Sequence, residues 1–302
     1  VIAIPPLPAP SGPNQDGGTA TILPRYEDVA QDGRMQLAPL LPGVGQAAWR
    51  ALIARMPAME TFRAQGILPI LRRLVVVAED RPVSVSVPVH YEASYRFARE
   101  KNGDRLFLNM WVEARAPLAS TLGPDPDAGA PRELVGRIFA EHVVTKPFAP
   151  PAERKVTRLE APGVPEVPDD EHVFEPTEDL GLGAGAGAES LEPAGDAVFG
   201  LMHTDSNQHV NSLVYPRVFE EALVRRLVRE GRRGAEGLVA RAMEMRWRKP
   251  FFAGETANIG MRLVEAGDGA ASGGGRFRVG AVGAFTSAKD GKLHSTIRVW
   301  MG

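Results

Sequence analysis

Apolar and polar positions along the chain fall into two similar series. In the second, Ala197–Met202 is a short apolar run that predicts a strand. Val214, Tyr215, Val218, Phe219, Ala222 and Leu223 then recur at spacings of one, three and four, the period of a helix with one buried face. Gly231-Arg232-Arg233-Gly234 closes that helix. Leu238–Trp247, Thr256–Val264, Arg276–Phe285 and Lys292–Trp300 follow as strand candidates, punctuated by turns such as Gly267-Asp268-Gly269 and Asp290-Gly291. In the first series, Thr21–Leu41 holds strand material, and Val44, Ala47, Ala48, Leu52, Ile53 and Met56 mark a helical face. Leu71–Ala78 is a strand candidate, continuously apolar from Leu74. Val83, Val85, Val87 and Val89 alternate with Ser84, Ser86 and Pro88, a period of two, with Pro88 implying an edge or bulge. Leu106–Val112 and Leu134–Val144 complete it. Both series run strand, helix, four strands, which predicts an α+β chain made of two copies of one unit, each a sheet wrapped around a long helix.

Composition marks the breaks. Residues 1–20, rich in Pro, Gly and Ala, read as a tail or an arm on the surface. Residues 161–195 turn to Pro162, Pro165, Pro168, then Asp169-Asp170-Glu171, then glycines alternating with Leu and Ala, a linker composition. The run Gly181–Gly187 is no phosphate loop, because acids and prolines flank it instead of a strand and a helix. The expected organisation is a tail over 1–20, an N-terminal domain over 21–160, a linker over 161–195 and a C-terminal domain over 196–302.

The chain of 302 residues is 44% hydrophobic and 24% charged, a globular composition. A formal net charge of −2 gives no global field for nucleic acid. With no cysteine there is no disulfide, thiolate metal site or Cys nucleophile. No apolar run is long enough to span a bilayer, and the N-terminal residues lack a signal-peptide pattern, so the expected location is cytoplasmic.

The densest chemistry is His203-Thr204-Asp205-Ser206-Asn207-Gln208-His209-Val210-Asn211-Ser212-Leu213-Val214-Tyr215, just ahead of the second helix. Such crowding of polar groups at a strand-to-helix junction suits a site more than a core. The pattern Asp-x-Asn-x-His-Val-Asn-x-x-x-Tyr, continued into the helix by Phe219-Glu220-Glu221-Ala222, resembles the signature of hot-dog-fold thioesterases, especially acyl-ACP thioesterases. The resemblance implies a tandem (double) hot dog over about residues 21–302, with the motif in the second half alone. In the first half, Asp28-Val29-Ala30-Gln31-Asp32-Gly33 is at most a decayed counterpart, and a plain Asp/Gly turn is the better reading.

Thioester hydrolysis needs a polarised carbonyl, an activated water or carboxylate, and a positioned thiol. A helix N-terminus favours a developing oxyanion. Asn211 and Ser212 stand where the helix begins, so a substrate carbonyl would dock near them. The amide of Asn207 or Asn211 can hold a water or a carbonyl oxygen, the imidazole of His209 can move a proton to or from water, and Asp205 can orient His209 or activate water. The resemblance implies catalytic roles for Asp205, Asn207 and His209. Plant-type relatives also place a Glu on the next strand. Here Met245-Arg246-Trp247-Arg248-Lys249-Pro250 has no acid, and Glu221 is the candidate substitute, falling at the edge of the helix's apolar face while Glu220 points away.

Each residue also has a structural reading: Asp205 as a helix cap, His209 as a hydrogen-bonded core histidine, Tyr215 as packing, Glu221 as a solvated charge. His203, Asp205 and His209 lie too close in sequence to close a metal site without a distant ligand, so no metal is expected. Arg225, Arg226, Arg229, Arg232 and Arg233 pair with the negative end of the helix. Arg246, Arg248 and Lys249 repeat the positive charge beside the motif, as substrate-binding residues for the phosphates of coenzyme A or for an acidic carrier protein. The expected activity is hydrolysis of an acyl-ACP or acyl-CoA thioester, without a cofactor, by a monomer (a pseudo-dimer) or a homodimer. The alternatives are another acyl-thioester enzyme on the same fold, a dehydratase or acyltransferase, and a non-catalytic acyl-binding protein.

Overall fold

A computed structural model describes residues 2–10, 15–100, 105–127, 129–160, 163, 164, 167, 191–265 and 279–302. The chain divides into two compact units, one chiefly Ala3–Met35 with Pro39–Glu175, the other chiefly Pro176–Gly302.

The first unit holds five strands: β1 (Asp16–Ile22), β2 (Leu68–Ala78), β3 (Val89–Arg99), β4 (Leu106–Pro117) and β5 (Arg132–Thr145). They pair antiparallel in the order β1-β3-β4-β5-β2. The long helix expected here is absent from the described residues. A π-helical stretch, Val44–Arg50, is followed by a 3-10 turn, Ile53–Arg55, and a short helix α1, Met59–Ala64. Pro57 cannot continue an α-helical hydrogen-bond ladder, which accounts for one break. The apolar face survives: Ala47, Ala48, Ile53 and Phe62 are buried. Gly43 ahead of it is held by close approach, since a Cβ there would sit 2.2 Å from the Tyr91 ring.

Two further expectations change, and a third, the Asp/Gly turn at 28–33, holds. The valine alternation at 83–89 is not a strand: β3 starts only at Val89, and the segment before it turns. Pro82 and Pro88 bracket it, and Ser84 Oγ accepts from the Ser86 amide at 3.2 Å, so a side chain takes the place of a ladder partner. Val83 and Val87 are buried all the same, which is why the pattern mimics a strand. The N-terminal residues begin as an arm and become β1 at Asp16. The arm is tied to the outer face of the sheet by Trp111 Nε1 donating to Pro5 O (2.9 Å) and Arg96 Nε donating to Pro8 O (3.1 Å). Asp28 pairs with Arg25 (2.9 Å), and Gly33 takes a left-handed φ of 80°, so that segment is a structural turn.

The second unit holds β6 (Glu192–Val198), α2 (Val214–Arg229), β7 (Ala240–Trp247), β8 (Thr256–Glu265), β9 (Val279–Ser287) and β10 (Leu293–Met301), paired antiparallel as β7-β10-β9-β8-β6. β6 begins inside the stretch read as linker and takes in only Ala197 and Val198 of the run 197–202. The run then turns into a 3-10 segment, Leu201–His203, with Leu201 and Met202 exposed. The rest of the linker, and the turn at 267–269, lie almost wholly outside the described residues.

α2 buries Tyr215, Phe219, Ala222, Leu223 and Leu227 on the sheet, the face its periodicity marks. It approaches so closely at Gly283 that a Cβ there would lie 2.2 Å from the Phe219 ring. It ends in a Schellman motif: Gly231 N donates to Val228 O and Arg232 N to Leu227 O, both 3.0 Å, with Gly231 at φ 69°. Among the described residues no helix is long and apolar enough to cross a membrane.

Candidate active site

The motif loop connects β6 to α2, and its own polar side chains shape it. Thr204 and Val210 form a β-bridge, and Asp205 N donates to His209 O (3.2 Å). Gln208 sits in the left-handed region at φ 63°, the one non-glycine described there. Both carboxylate oxygens of Asp205 are engaged: Oδ1 accepts from Asn207 N (2.8 Å) and Oδ2 from Asn211 Nδ2 (2.9 Å). Asn211 Oδ1 in turn accepts from Leu213 N at the start of α2 (2.8 Å). Capping of the helix entry therefore falls to Asn211, and Asp205 fixes the asparagine that does it. Asp205 does not touch His209 through its side chain.

A second segment braces the loop. Phe251 O accepts from Val210 N (2.8 Å), and Phe251 N donates to Tyr215 Oη (3.1 Å). Tyr215 is buried against Phe199, Trp247, Phe251 and Phe285, and burial pushes its hydroxyl up to about 12. It is a packing residue with its hydroxyl satisfied.

Hydrogen bonds separate the histidines into two tautomers. A carbonyl oxygen only accepts, so a ring nitrogen against one carries the proton. His209 Nδ1 faces Val210 O (3.2 Å) and His294 Nδ1 faces Pro250 O (3.0 Å); in each neutral ring Nε2 holds the lone pair. His203 is the reverse: its Nδ1 accepts from Gly200 N (3.1 Å), which places the proton on Nε2. His209 is half-buried and Asn207 exposed. His294 lies with its ring stacked on Phe251, centroids 4.0 Å apart, and burial lowers its pKa.

The fold thus brings Asp205, Asn207, His209, Asn211 and Tyr215 together, with Ser212 half-buried at the helix start. Glu221 is a correction. Its side chain is 69% exposed, 3.7 Å from Arg225, whereas Glu220 turns inward and accepts from Ala240 N (2.9 Å). The buried face takes in Pro216 and Leu227 while Val214 and Val218 are only half-buried, which brings Glu220 beside it and leaves Glu221 on the far side. Arg246 is drawn to the buried Glu244 (3.2 Å), which Arg298 also contacts (3.2 Å), while Arg248 and Lys249 are exposed beyond the end of β7. The arginines after the helix middle are largely paired: Arg226 with Glu192 (2.6 Å) and Glu230 (2.9 Å), Arg232 with Glu230 (3.8 Å). Among the described residues no cluster of three or more His, Asp or Glu is placed to hold a metal ion.

Sequence reasoning missed Phe251 and His294. The signals were faint: an aromatic pair after Lys249-Pro250, and one histidine inside an apolar strand pattern. A cavity of about 590 Å³ lies in the first unit, between arm residues Ile4–Leu7 and the outer sheet face around Trp111, Glu92 and Glu113.

No family model matches the chain, and no curated protein does. Solved structures match in fold over nearly its whole length. An acyl-ACP thioesterase from Bacteroides thetaiotaomicron aligns over 96% of this chain and 98% of its own at 12% identity, TM-score 0.62. A candidate oleoyl thioesterase from Lactobacillus plantarum aligns over 94% of each chain at 12% identity, TM-score 0.63. The 12:0-ACP thioesterase from Umbellularia californica aligns over 94% of this chain and 96% of its own at 11% identity, TM-score 0.59. The chain resembles these acyl-ACP thioesterases in architecture: it has an α+β tandem hot-dog fold.

Proposed function

We propose that this chain is an acyl thioesterase that hydrolyses the thioester of an acyl-ACP or acyl-CoA. One observation carries the reading: Asp205 and Asn211 lock the motif loop onto the start of α2 and leave Asn207 and His209 as the open polar groups. His209 Nε2, its lone pair set by the Nδ1 contact, takes a proton from water. The water oxygen attacks the carbonyl carbon, the positive end of α2 and the Asn207 amide steady the oxyanion, and the C–S bond breaks. The proton passes from His209 to the departing thiolate, giving a free thiol and a carboxylic acid, which then releases its own proton to water. Asp205 acts through the loop it holds. On this reading the enzyme needs no cofactor and works on water-soluble acyl carriers, in the cytoplasm and in fatty acid synthesis.

Thiol release measured across acyl-CoA and acyl-ACP panels tests the proposal; hydrolysis of neither class overturns it. A second reading, a non-catalytic acyl-binding protein, is favoured by the full occupation of the Asp205 carboxylate. Tight acyl-ligand binding without thiol release would select it.

A further inference from the structure

The dipeptide Pro250-Phe251 joins three features that are far apart in sequence. On one side, Val210 of the motif loop is bound to Phe251 O (2.8 Å). On the other, His294 stacks on the Phe251 ring and donates from Nδ1 to Pro250 O (3.0 Å). Just before the dipeptide, the amides of Arg248 and Lys249 both donate to His294 O, at 2.7 and 3.1 Å. Two exposed cations, a histidine with a fixed tautomer and the motif loop therefore follow one another along a single braced segment. A phosphopantetheine thioester has the same order of chemistry: an anionic phosphate, amide N–H groups along the arm, then the thioester.

Resting on the thioesterase reading, we infer that this segment is the seat of the phosphopantetheine arm. His294 Nε2 accepts an amide N–H of the arm, and Arg248 and Lys249 meet its phosphate. Nε2 is an acceptor because Nδ1 holds the ring proton against a carbonyl oxygen. Burial, and Lys249 nearby, keep the ring neutral, while Glu255, Asp290 and the Pro250 carbonyl pull the other way; the net shift is downward. The acceptor is therefore retained through neutral pH and lost in acid. His294 is a positioning residue for the arm and takes no part in bond breaking.

The test separates the arm from the acyl chain. Thiol release is measured with acyl-CoA, acyl-ACP and the matching S-acyl thiophenol, which has neither amide nor phosphate. His294→Asn keeps a donor for Pro250 O, and His294→Phe keeps the ring stack. Both are expected to raise KM for acyl-CoA and acyl-ACP roughly tenfold, with kcat nearly unchanged and the thiophenol ester unaffected. The parent is expected to show the same rise in KM as the pH falls below the histidine range. Arg248→Gln with Lys249→Gln is expected to weaken both carriers and spare acyl-pantetheine lacking the phosphate. A loss of the same size on the thiophenol ester, or an unchanged KM for both carriers, overturns the inference. Binding of free 4′-phosphopantetheine to the parent and to His294→Asn is measured alongside. If the parent cleaves no thioester, the thioesterase reading falls; weaker binding to the variant then upholds the arm site, and equal or absent binding overturns it.

Discussion

β1–β5 and β6–β10 are joined in the same strand order, β1-β3-β4-β5-β2 in one unit and β6-β8-β9-β10-β7 in the other, yet the elements lying against them differ. In the second unit one helix of 16 residues crosses the sheet. In the first, a π stretch of 7 residues, a 3-10 turn and a helix of 6 do the same work. Both buried faces are apolar, so either arrangement fills the concave side. The polar loop differs as well. Asp205 ties a helix entry together through Asn211, while in the first unit Asp28 pairs with Arg25, and Asp32 with Arg34, which also contacts Asp80. A sheet tolerates a broken helix, but a site built on a helix entry does not. This is the physical reason the proposed site is placed in the second half.

The sharpest way to break that comparison is to mutate the two loops in parallel. His209→Ala is expected to lower kcat/KM for thioester hydrolysis on the order of 10²–10⁴-fold. Asp205→Asn is expected to approach that loss, because a single amide oxygen cannot accept as two carboxylate oxygens do and the Asn211 contact is given up. Asp32→Asn, in the matching turn of the first half, is expected to leave the rate unchanged. Equal losses at Asp32 and Asp205, or activity that falls only in step with melting temperature, would refute the asymmetry. Glu221→Gln is expected to have no effect on rate, consistent with its exposure.

Packing offers the next test. Phe219 of α2 is fully buried against Phe285 and the bare backbone at Gly283, so Phe219→Ala is expected to destabilise the protein by about 3–5 kcal/mol in denaturant unfolding. Trp49, in the π stretch of the first unit, is only half-buried, and Trp49→Ala is expected to have the smaller effect. The reverse order would mean that the broken helix bears more of its unit's stability than the intact one.

Most of the strands were legible because they alternate or run apolar and are set apart by Gly and Pro turns, but β1 lies mostly in the stretch read as tail and β3 begins only where the valine run ends. The valine run at 83–89 misled because burial of alternate side chains does not require a ladder. The broken helix of the first unit was not legible either, since its apolar face keeps a helical period although its hydrogen bonds do not. The motif loop could be located because five polar residues stand together. Its internal wiring could not: Asp205 serves Asn211, and nothing in the spacing says so. His294 reaches the site across a β-bulge between Leu293 and Ser295, a long-range contact that leaves no local signature.

Acid distinguishes the halves through their histidines. His142 of β5 is fully buried at the edge of Trp49, and burial lowers its pKa to about 4 against a little over 6 in an unfolded chain. Between these values the unfolded state binds more protons, so stability falls as pH drops from about 6.5 to about 4 and levels off below. The full effect is on the order of 3 kcal/mol. His142→Leu is expected to flatten that part of the stability curve. A variant with the parent's acid profile would show that His142 is not the group responsible.

The smallest expected effect concerns backbone conformation. In the first unit the described left-handed positions are glycines, among them Gly33 at φ 80° and Gly66 at φ 67°, where the absence of a Cβ removes the steric cost. The motif loop of the second unit places Gln208 there at φ 63°, immediately before His209. A non-glycine residue in this region is disfavoured by about 1 kcal/mol, and such strain persists only where surrounding contacts hold it. Gln208→Gly removes the steric term but gives the unfolded chain more freedom, so the net change in stability is expected to stay within about 1 kcal/mol. The same substitution loosens the turn that aims His209. The expected outcome is therefore a fall in kcat with an almost unchanged melting temperature, the opposite balance from Phe219→Ala. Gln208→Gly with the parent's kcat would show that the left-handed turn is an incident of loop closure and does not position the histidine.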